Sequence, residues 1–367
     1  MSSLGTISPI STNDLVPLLD ATDRPFLLDV REPDEVADWS IDGVVNIPLG
    51  TLAEHLDEVP SNQRVIVICA KGMRAQAGAE LLAAAGRDVE VLEGGMGAWA
   101  STYDVVEAVI AGATVLQVRR RGKGCLSYVI GAGDRAIVID PSLNVELYAA
   151  LASERGWQIA YVLDTHLHAD HLSGARALVS QSGGELLLSD ADPFDFSFTP
   201  LRDGQHLVLT PEVGLTVSAV SVPGHTEGST MYQLGDEAIF TGDTLFLESV
   251  GRPDLADHAE SFAKNLYRSL HERILPLSSD ALVFPAHYGS VVSVRAGELV
   301  TRTLGELRST LPALFLDETA FIDWALKNVK DRPPNYQRIV RVNAGDEPVT
   351  SDAAEMELGP NRCAVAS

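Results

Sequence analysis

The sequence predicts a two-part α/β protein, with a compact unit on a parallel sheet followed by a larger, strand-rich unit that carries a metal site. Three observations predict it. Over roughly the first hundred residues, short apolar strands alternate with helical stretches, the pattern of βα units. From Val115 onward strands follow one another closely, with a Gly-rich hairpin turn at Gly131-Ala132-Gly133-Asp134-Arg135. The stretch Thr165-His166-Leu167-His168-Ala169-Asp170-His171 holds three imidazoles and a carboxylate in seven residues. Such groups are costly to bury without a partner, and a metal ion satisfies them.

The chain has 367 residues, enough for two sizeable cores. Its 46% hydrophobic and 21% charged content are those of a globular protein. The net charge of −24 argues against nucleic acid or an anionic membrane surface as partner. Three cysteines are too few, and odd in number, for a disulfide framework, so a reducing compartment is expected. Residues 1–13 lack the charged and apolar regions of a signal peptide, and no apolar run approaches ~20 residues. A cytoplasmic protein is expected; whether it forms a homo-oligomer is left open.

In the first part, Phe26-Leu27-Leu28-Asp29-Val30 is a strand, followed by Arg31 and Glu32. Val44-Val45-Asn46-Ile47-Pro48-Leu49 is a second, ended by proline, and residues 52–56 suit a helix. Arg64-Val65-Ile66-Val67-Ile68-Cys69 is nearly continuously apolar, as in a strand buried on both faces. A loop, Ala70-Lys71-Gly72-Met73-Arg74-Ala75, leads into a helix over 76–85; a strand at 89–92 precedes Glu93-Gly94-Gly95-Met96-Gly97-Ala98-Trp99. Cys69 thus stands at the carboxyl end of a central strand, where α/β sheets place ligands. The following loop amides and helix dipole stabilise an anion such as a thiolate or persulfide. Arg74 and Lys71 add positive charge, which favours the thiolate, and Gly72 allows the tight turn. Cys125, by contrast, reads as a small core residue, and Cys363 lies in a tail without context.

Asp29-Val30-Arg31-Glu32-Pro33, Asn46-Ile47-Pro48, the six-residue loop from Cys69 to Arg74, and Gly94-Gly95 with Ala98-Trp99 together resemble the rhodanese domain over residues 8–101. The resemblance implies a sulfurtransferase in which Cys69 carries sulfane sulfur as a persulfide and Arg74, with the loop amides, holds the anionic donor or acceptor. Trp39-Ser40-Ile41-Asp42-Gly43 stands where the family has a Gly-His-Ile segment, a departure that bears on local packing.

Residues 101–114 read as the junction, with Val105-Val106-Glu107-Ala108-Val109-Ile110 assignable to either side. Strands follow at 115–118, 127–130 and 136–139, then a helix over 145–155 and the strand 159–163 that delivers the histidine cluster. Downstream, ligand-type residues recur at the ends of apolar runs: His225 after 215–220, Asp243 after 238–240 and His287 after 281–284. Zinc and iron both accept such nitrogen and carboxylate ligands. The other histidines, His55, His206, His258 and His271, read as surface or packing residues.

This ordered set resembles the metallo-β-lactamase fold, an αββα sandwich, over residues 115–288. The resemblance implies one or two metals at one edge: His166, His168 and His225 for one, Asp170, His171 and His287 for the other, with Asp243 bridging. Gly242-Asp243-Thr244-Leu245-Phe246 and Val250-Gly251-Arg252-Pro253-Asp254-Leu255 are similar to the persulfide dioxygenase branch, which is related to glyoxalase II. In that branch a mononuclear iron(II) maps to His166, His225 and Asp243. His168, Asp170, His171 and His287 then support, and Arg252 with Asp254 forms a buried pair beside Asp243. Two helices are expected over 299–311 and 321–329, then Arg332-Pro333-Pro334-Asn335-Tyr336, similar to rhodanese-linked members of the branch, and a mobile end over 344–367. The expected domains are 1–104, 112–345 and a tail, 346–367. The implied activity is oxidation of a small thiol persulfide by dioxygen to sulfite, with sulfur transfer at Cys69. The alternative is a thioester hydrolase of glyoxalase II type with two zinc ions.

Overall fold

The computed structural model describes residues 4–210, 215–254, 258–289, 294–329, 332 and 335–365. Five strands form the first sheet: β1 (Ile7–Ile10), β2 (Phe26–Asp29), β3 (Val45–Asn46), β4 (Val65–Ile68) and β5 (Val89–Leu92), in the order β1-β5-β4-β2-β3. Every pairing is parallel. All four β4 residues are buried, as their unbroken apolar run requires of a central strand covered on both faces. The Met73–Ala84 helix covers one face through Ala75, Ala79 and Leu82. In place of the helix expected at 52–56 there are two short 3₁₀ turns, Leu52–Glu54 and Leu56–Glu58, because only Leu52 is buried there.

The second unit is two sheets packed face to face. The seven-stranded sheet runs β6 (Tyr103–Ile110), β7 (Ala113–Arg120), β8 (Cys125–Ala132), β9 (Arg135–Ile139), β10 (Gln158–Leu163), β11 (Glu185–Ser189) and β12 (Thr199–Leu201). The six-stranded sheet runs β13 (His206–Thr210), β14 (Leu215–Ser221), β15 (Thr230–Leu234), β16 (Ala238–Gly242), β17 (Leu282–Pro285) and β18 (Arg302–Thr303). Residues 105–110 therefore belong to the second unit, since all eight residues of β6 pair with β7. One core joins both sheets, with Val115, Ile130 and Leu163 from the first and Val217, Phe240 and Phe284 from the second. The helices Val145–Glu154 and Ala175–Ser182 close the outer face of the seven-stranded sheet.

The C-terminal region departs from expectation. The helix expected from 299 starts at Leu304, because Thr303 caps it: its hydroxyl accepts the Glu306 N–H (3.2 Å) and its N–H donates to the Glu306 carboxylate (2.8 Å). The helix expected over 321–329 runs Glu318–Lys327, capped by Asp317. Pro333 and Pro334 lie outside the described residues, and a further helix, Tyr336–Ala344, follows Asn335. The end of the chain is packed rather than loose: Cys363 and Val365 are buried, and Gly251 pairs with Ala364. The buried Glu357 carboxylate anchors it by taking Arg120 (3.0 Å). Among the described residues no helix is long and apolar enough to cross a membrane.

The two units meet at the turn after β7. Trp39 Nε1–H donates to Gly122 O (2.8 Å), and Arg121 pairs with the buried Asp20 (2.8 Å). Gly122 is required there, since a Cβ would lie 2.2 Å from Trp99 O. A cavity of about 1340 Å³ opens between the units, lined by Trp39, Trp99, Phe246, His287 and Arg362 among others.

Candidate functional site

In the first unit Cys69 follows β4 and is buried; its Sγ accepts the Gly72 N–H (3.1 Å). Gly72 has φ +96°, which a side chain would strain, and opens the Met73–Ala84 helix. Gly95 lets the next loop approach, because a Cβ there would lie 2.1 Å from Cys69 O. Asp29 and Arg31 form a buried pair (2.7 Å), and Asn46 Nδ2 donates to the carbonyls of both, fixing the neighbouring strand ends. Arg74 is half-exposed but already engaged: its guanidinium makes two bonds to Glu35 (2.7 and 2.8 Å). The hydrogen bond from Arg74 holds the Glu35 carboxyl down at about 2. Lys71 pairs instead with Glu355 of the C-terminal region (3.0 Å).

In the second unit the cluster begins directly after β10. Asp140, at the end of β9, takes both the N–H and the hydroxyl of Thr165 (2.6 and 2.9 Å). The Thr165 hydroxyl lies 2.9 Å from His166 Nδ1 and so turns Nε2 inward. His225 follows β14; its Nδ1–H donates to Arg252 O (2.9 Å), which also leaves Nε2 facing in. Asp243 follows β16, and its Oδ1 accepts from His287 Nδ1–H (2.6 Å). Its Oδ2 stands 3.6 Å from His166 Nε2 and 3.5 Å from His225 Nε2. These three atoms are buried without a hydrogen-bond partner, and they lie within 4.8 Å of one another. Converging lone pairs left unsatisfied in a buried site fit a divalent metal ion held by two imidazoles and a carboxylate.

The remaining cluster residues divide. Asp170, His171 and His287 converge with Cys125, and Asp170 Oδ2 lies 3.0 Å from His287 Nε2 there. His168 is drawn away: its Nε2–H donates to Asp140 (3.1 Å), and it groups with Asp140 and Asp164. Arg252 is fully buried and pairs with Asp254 through two bonds (2.7 and 2.9 Å).

The electrostatics match the geometry. Burial lowers the His166 and His225 pKa values, so both imidazoles are neutral, as metal ligands must be. Burial opposes the charge on Asp243, but His287 and His166 outweigh it and hold the carboxyl below its usual range. Burial likewise opposes a charge on His287, yet the Asp170 and Asp243 carboxylates keep it protonated.

Several residues escaped the sequence reading. Cys125 is no plain core residue but faces His287 across an isolated bridge. Cys363 comes in from the chain end to within 4.8 Å of ligand atoms on Asp243 and His287. Asp192 accepts the N–H groups of Leu167 (2.9 Å) and Gly228 (2.8 Å) and so ties the histidine loop to the His225 loop. Asn343 Nδ2 donates to His168 O and His171 O (2.9 and 2.8 Å). Two glycines allow the close packing: a Cβ at Gly242 would meet Thr165 Oγ1 at 2.6 Å, and one at Gly251 would meet Asp243 O at 1.9 Å.

Comparison with known proteins agrees with this arrangement. The model of the rhodanese-like domain matches residues 11–102, and that of the metallo-beta-lactamase superfamily matches residues 120–287. The persulfide dioxygenase ETHE1 of Mus musculus is 33% identical over 214 residues, covering 54% of this chain and 76% of that protein. A hydroxyacylglutathione hydrolase of Methylobacillus flagellatus is 34% identical over 117 residues, 32% of this chain and 46% of that protein. The crystal structure of ETHE1 from Myxococcus xanthus is 26% identical, with a TM-score of 0.56, covering 63% of this chain and 97% of that one. Two matched domains in this order, with a relative covered over most of its length, place the chain in the metallo-β-lactamase superfamily, in its persulfide dioxygenase branch, behind a rhodanese-like domain.

Proposed function

We propose that the protein oxidises a low-molecular-weight thiol persulfide with dioxygen to sulfite and the free thiol, and that Cys69 transfers sulfane sulfur. The observation that carries this reading is the trio His166 Nε2, His225 Nε2 and Asp243 Oδ2, buried and convergent with no hydrogen-bond partner among the described residues. Iron(II) held there would supply Lewis acidity and positions open to a substrate sulfur and to dioxygen.

The chain's own residues prepare this centre. The Thr165 hydroxyl and the Arg252 carbonyl fix the ring orientations of His166 and His225, so both present Nε2. His287 holds a proton at Nδ1 against Asp243 Oδ1, leaving Oδ2 for the metal. Arg252, anchored by Asp254, keeps the carbonyl that aims His225 in place. In the rhodanese-like unit the Cys69 thiolate attacks a sulfane donor such as thiosulfate. A bond forms between Cys69 Sγ and the outer sulfur, the donor's S–S bond breaks, and sulfite leaves with the electron pair. The Gly72 amide, already bonded to Sγ, supports the anion.

A second reading, a thioester hydrolase with two zinc ions, is favoured by the neighbouring group Cys125, Asp170, His171 and His287. Anaerobic reconstitution with iron(II), metal analysis, and oxygen uptake with glutathione persulfide separate the two. One iron per chain with uptake supports the first. Two zinc ions with thioesterase activity and no uptake overturn it.

A further inference from the structure

Cys363 is a buried thiol at the metal centre that the proposed chemistry does not use. Its Sγ lies within 4.8 Å of ligand atoms on Asp243 and His287. It groups with neither His166 nor His225, so the sulfur stands at the edge of the trio rather than inside it. Among the described residues the buried His166 Nε2, His225 Nε2 and Asp243 Oδ2 are without hydrogen-bond partners. A sulfur ligand approaching the centre along this edge would pass through the place Cys363 holds.

The cysteine arrives on a strap, residues 360–365, laid along a backbone edge beside Asp243. Arg252 N–H donates to Cys363 O (3.0 Å), and Val365 N–H donates to Val250 O (3.0 Å). Gly251 and Ala364 face one another as an antiparallel bridge. The Ser249 hydroxyl donates to Val365 O (2.7 Å), and Arg252 donates from its guanidinium to Arg362 O (3.0 Å). The strap is thus an extended cysteinyl peptide docked by main-chain hydrogen bonds, with its sulfur turned toward the centre. Its tether to the first unit is the pair Arg362–Asp38, whose aspartate is 54% exposed, and exposed pairs hold weakly. Arg362, Ala364 and Val365 also line the large cavity between the units, so the strap borders open space.

We propose that the strap is a built-in pseudosubstrate: Cys363 fills the thiol-sulfur place beside Asp243 and His287, and the strap must leave the 250–252 edge before a thiol substrate binds there. The identity of that substrate rests on the function proposed above; the occupancy of the place does not. If the strap is released in about one molecule in ten, the apparent affinity for substrate falls about tenfold.

Hydrogen exchange read by mass spectrometry tests this on the full-length, iron(II)-loaded protein under anaerobic conditions. The peptide covering 358–365 should exchange slowly alone and about tenfold faster with saturating reduced glutathione. The oxygen analogue γ-glutamyl-seryl-glycine should leave exchange slow. Cys363→Ser, which keeps the strap's main-chain bonds and loosens only its hold at the centre, should lower KM for glutathione persulfide severalfold, toward the tenfold limit. A chain ending at Gly359 should do the same; if it fails to fold, the exchange and Cys363→Ser results decide. Exchange that does not respond to glutathione, equal acceleration by the serine analogue, or an unchanged KM in Cys363→Ser overturns the proposal. The exchange reads binding and not turnover. A strap that opens in a protein without oxygen uptake therefore sinks the dioxygenase reading alone, and normal uptake with an unresponsive strap sinks the pseudosubstrate alone.

Discussion

At the scale of the residue, the two oxygens of Asp243 divide the work of the centre. Oδ1 is committed to His287, and Oδ2 is left beside His166 and His225. Replacement by asparagine puts an amide where a charged ligand is needed, and Asp243→Asn should reduce bound iron below about one-tenth per chain, read by metal analysis after anaerobic loading. His168 provides the contrast. It is adjacent in sequence but held by Asp140, away from the trio, so His168→Ala should retain its iron while oxygen uptake falls roughly 10- to 100-fold, the range for groups that support ligands from behind. Loss of iron in His168→Ala to the level of Asp243→Asn would instead count it among the ligands. The family resemblance assigned the metal to His166 and a supporting role to His168, but spacing alone could not separate these two histidines. Their spacing puts both on one loop, and only the distant Asp140, at the end of another strand, decides which ring turns inward.

At the scale of the element, the Cys69 loop is held between two helices. Glu35, on the short helix Pro33–Asp38, captures Arg74 from the first turn of the Met73–Ala84 helix. An anionic donor would compete with Glu35 for this guanidinium. Glu35→Gln should therefore lower KM for thiosulfate several-fold in a thiosulfate:cyanide assay, with thiosulfate binding the freed arginine. The pair also carries a pH signature. Glu35 has a folded-state pKa of about 2, depressed from an ordinary value near 4.5. Its stabilising effect is thus complete above about 4.5 and is lost as pH falls toward about 2. Acid unfolding of the wild type should show this loss, and Glu35→Gln should remove that part of the pH dependence. Four of the five strands were legible here, β4 from an unbroken apolar run of strand length; β1, a mostly exposed edge strand, was not. The contact of Arg74 with Glu35 was not legible, because 39 residues separate them and many carboxylates were available.

At the scale of the whole molecule, what the sequence concealed is how the chain end and the two units are locked together. The tail is polar and without periodicity, so nothing local marks it as packed. It is held by long-range partners, Glu357 with Arg120 and the main chain of 363–365 with that of Val250 and Arg252. The lock between the units has the same character. Arg121 is 7% exposed and bonds both Asp20, at 2%, and Asp104, at 20%. Asp104 has a second cation in Arg119, through two bonds of 2.6 Å, whereas Arg121 is the arginine that neutralises Asp20 across the boundary. Arg121→Ala should therefore destabilise the protein by about 3–5 kcal/mol in urea unfolding, chiefly because Asp20 is left buried and charged. The double variant Arg121→Leu with Asp20→Leu removes both charges and should recover most of that loss, since paired apolar groups avoid the desolvation that the ion pair must overcome. A double variant no more stable than Arg121→Ala would mean that the stability lost in the single variant comes from the packing of the arginine stem against the interface, and not from the stranded carboxylate.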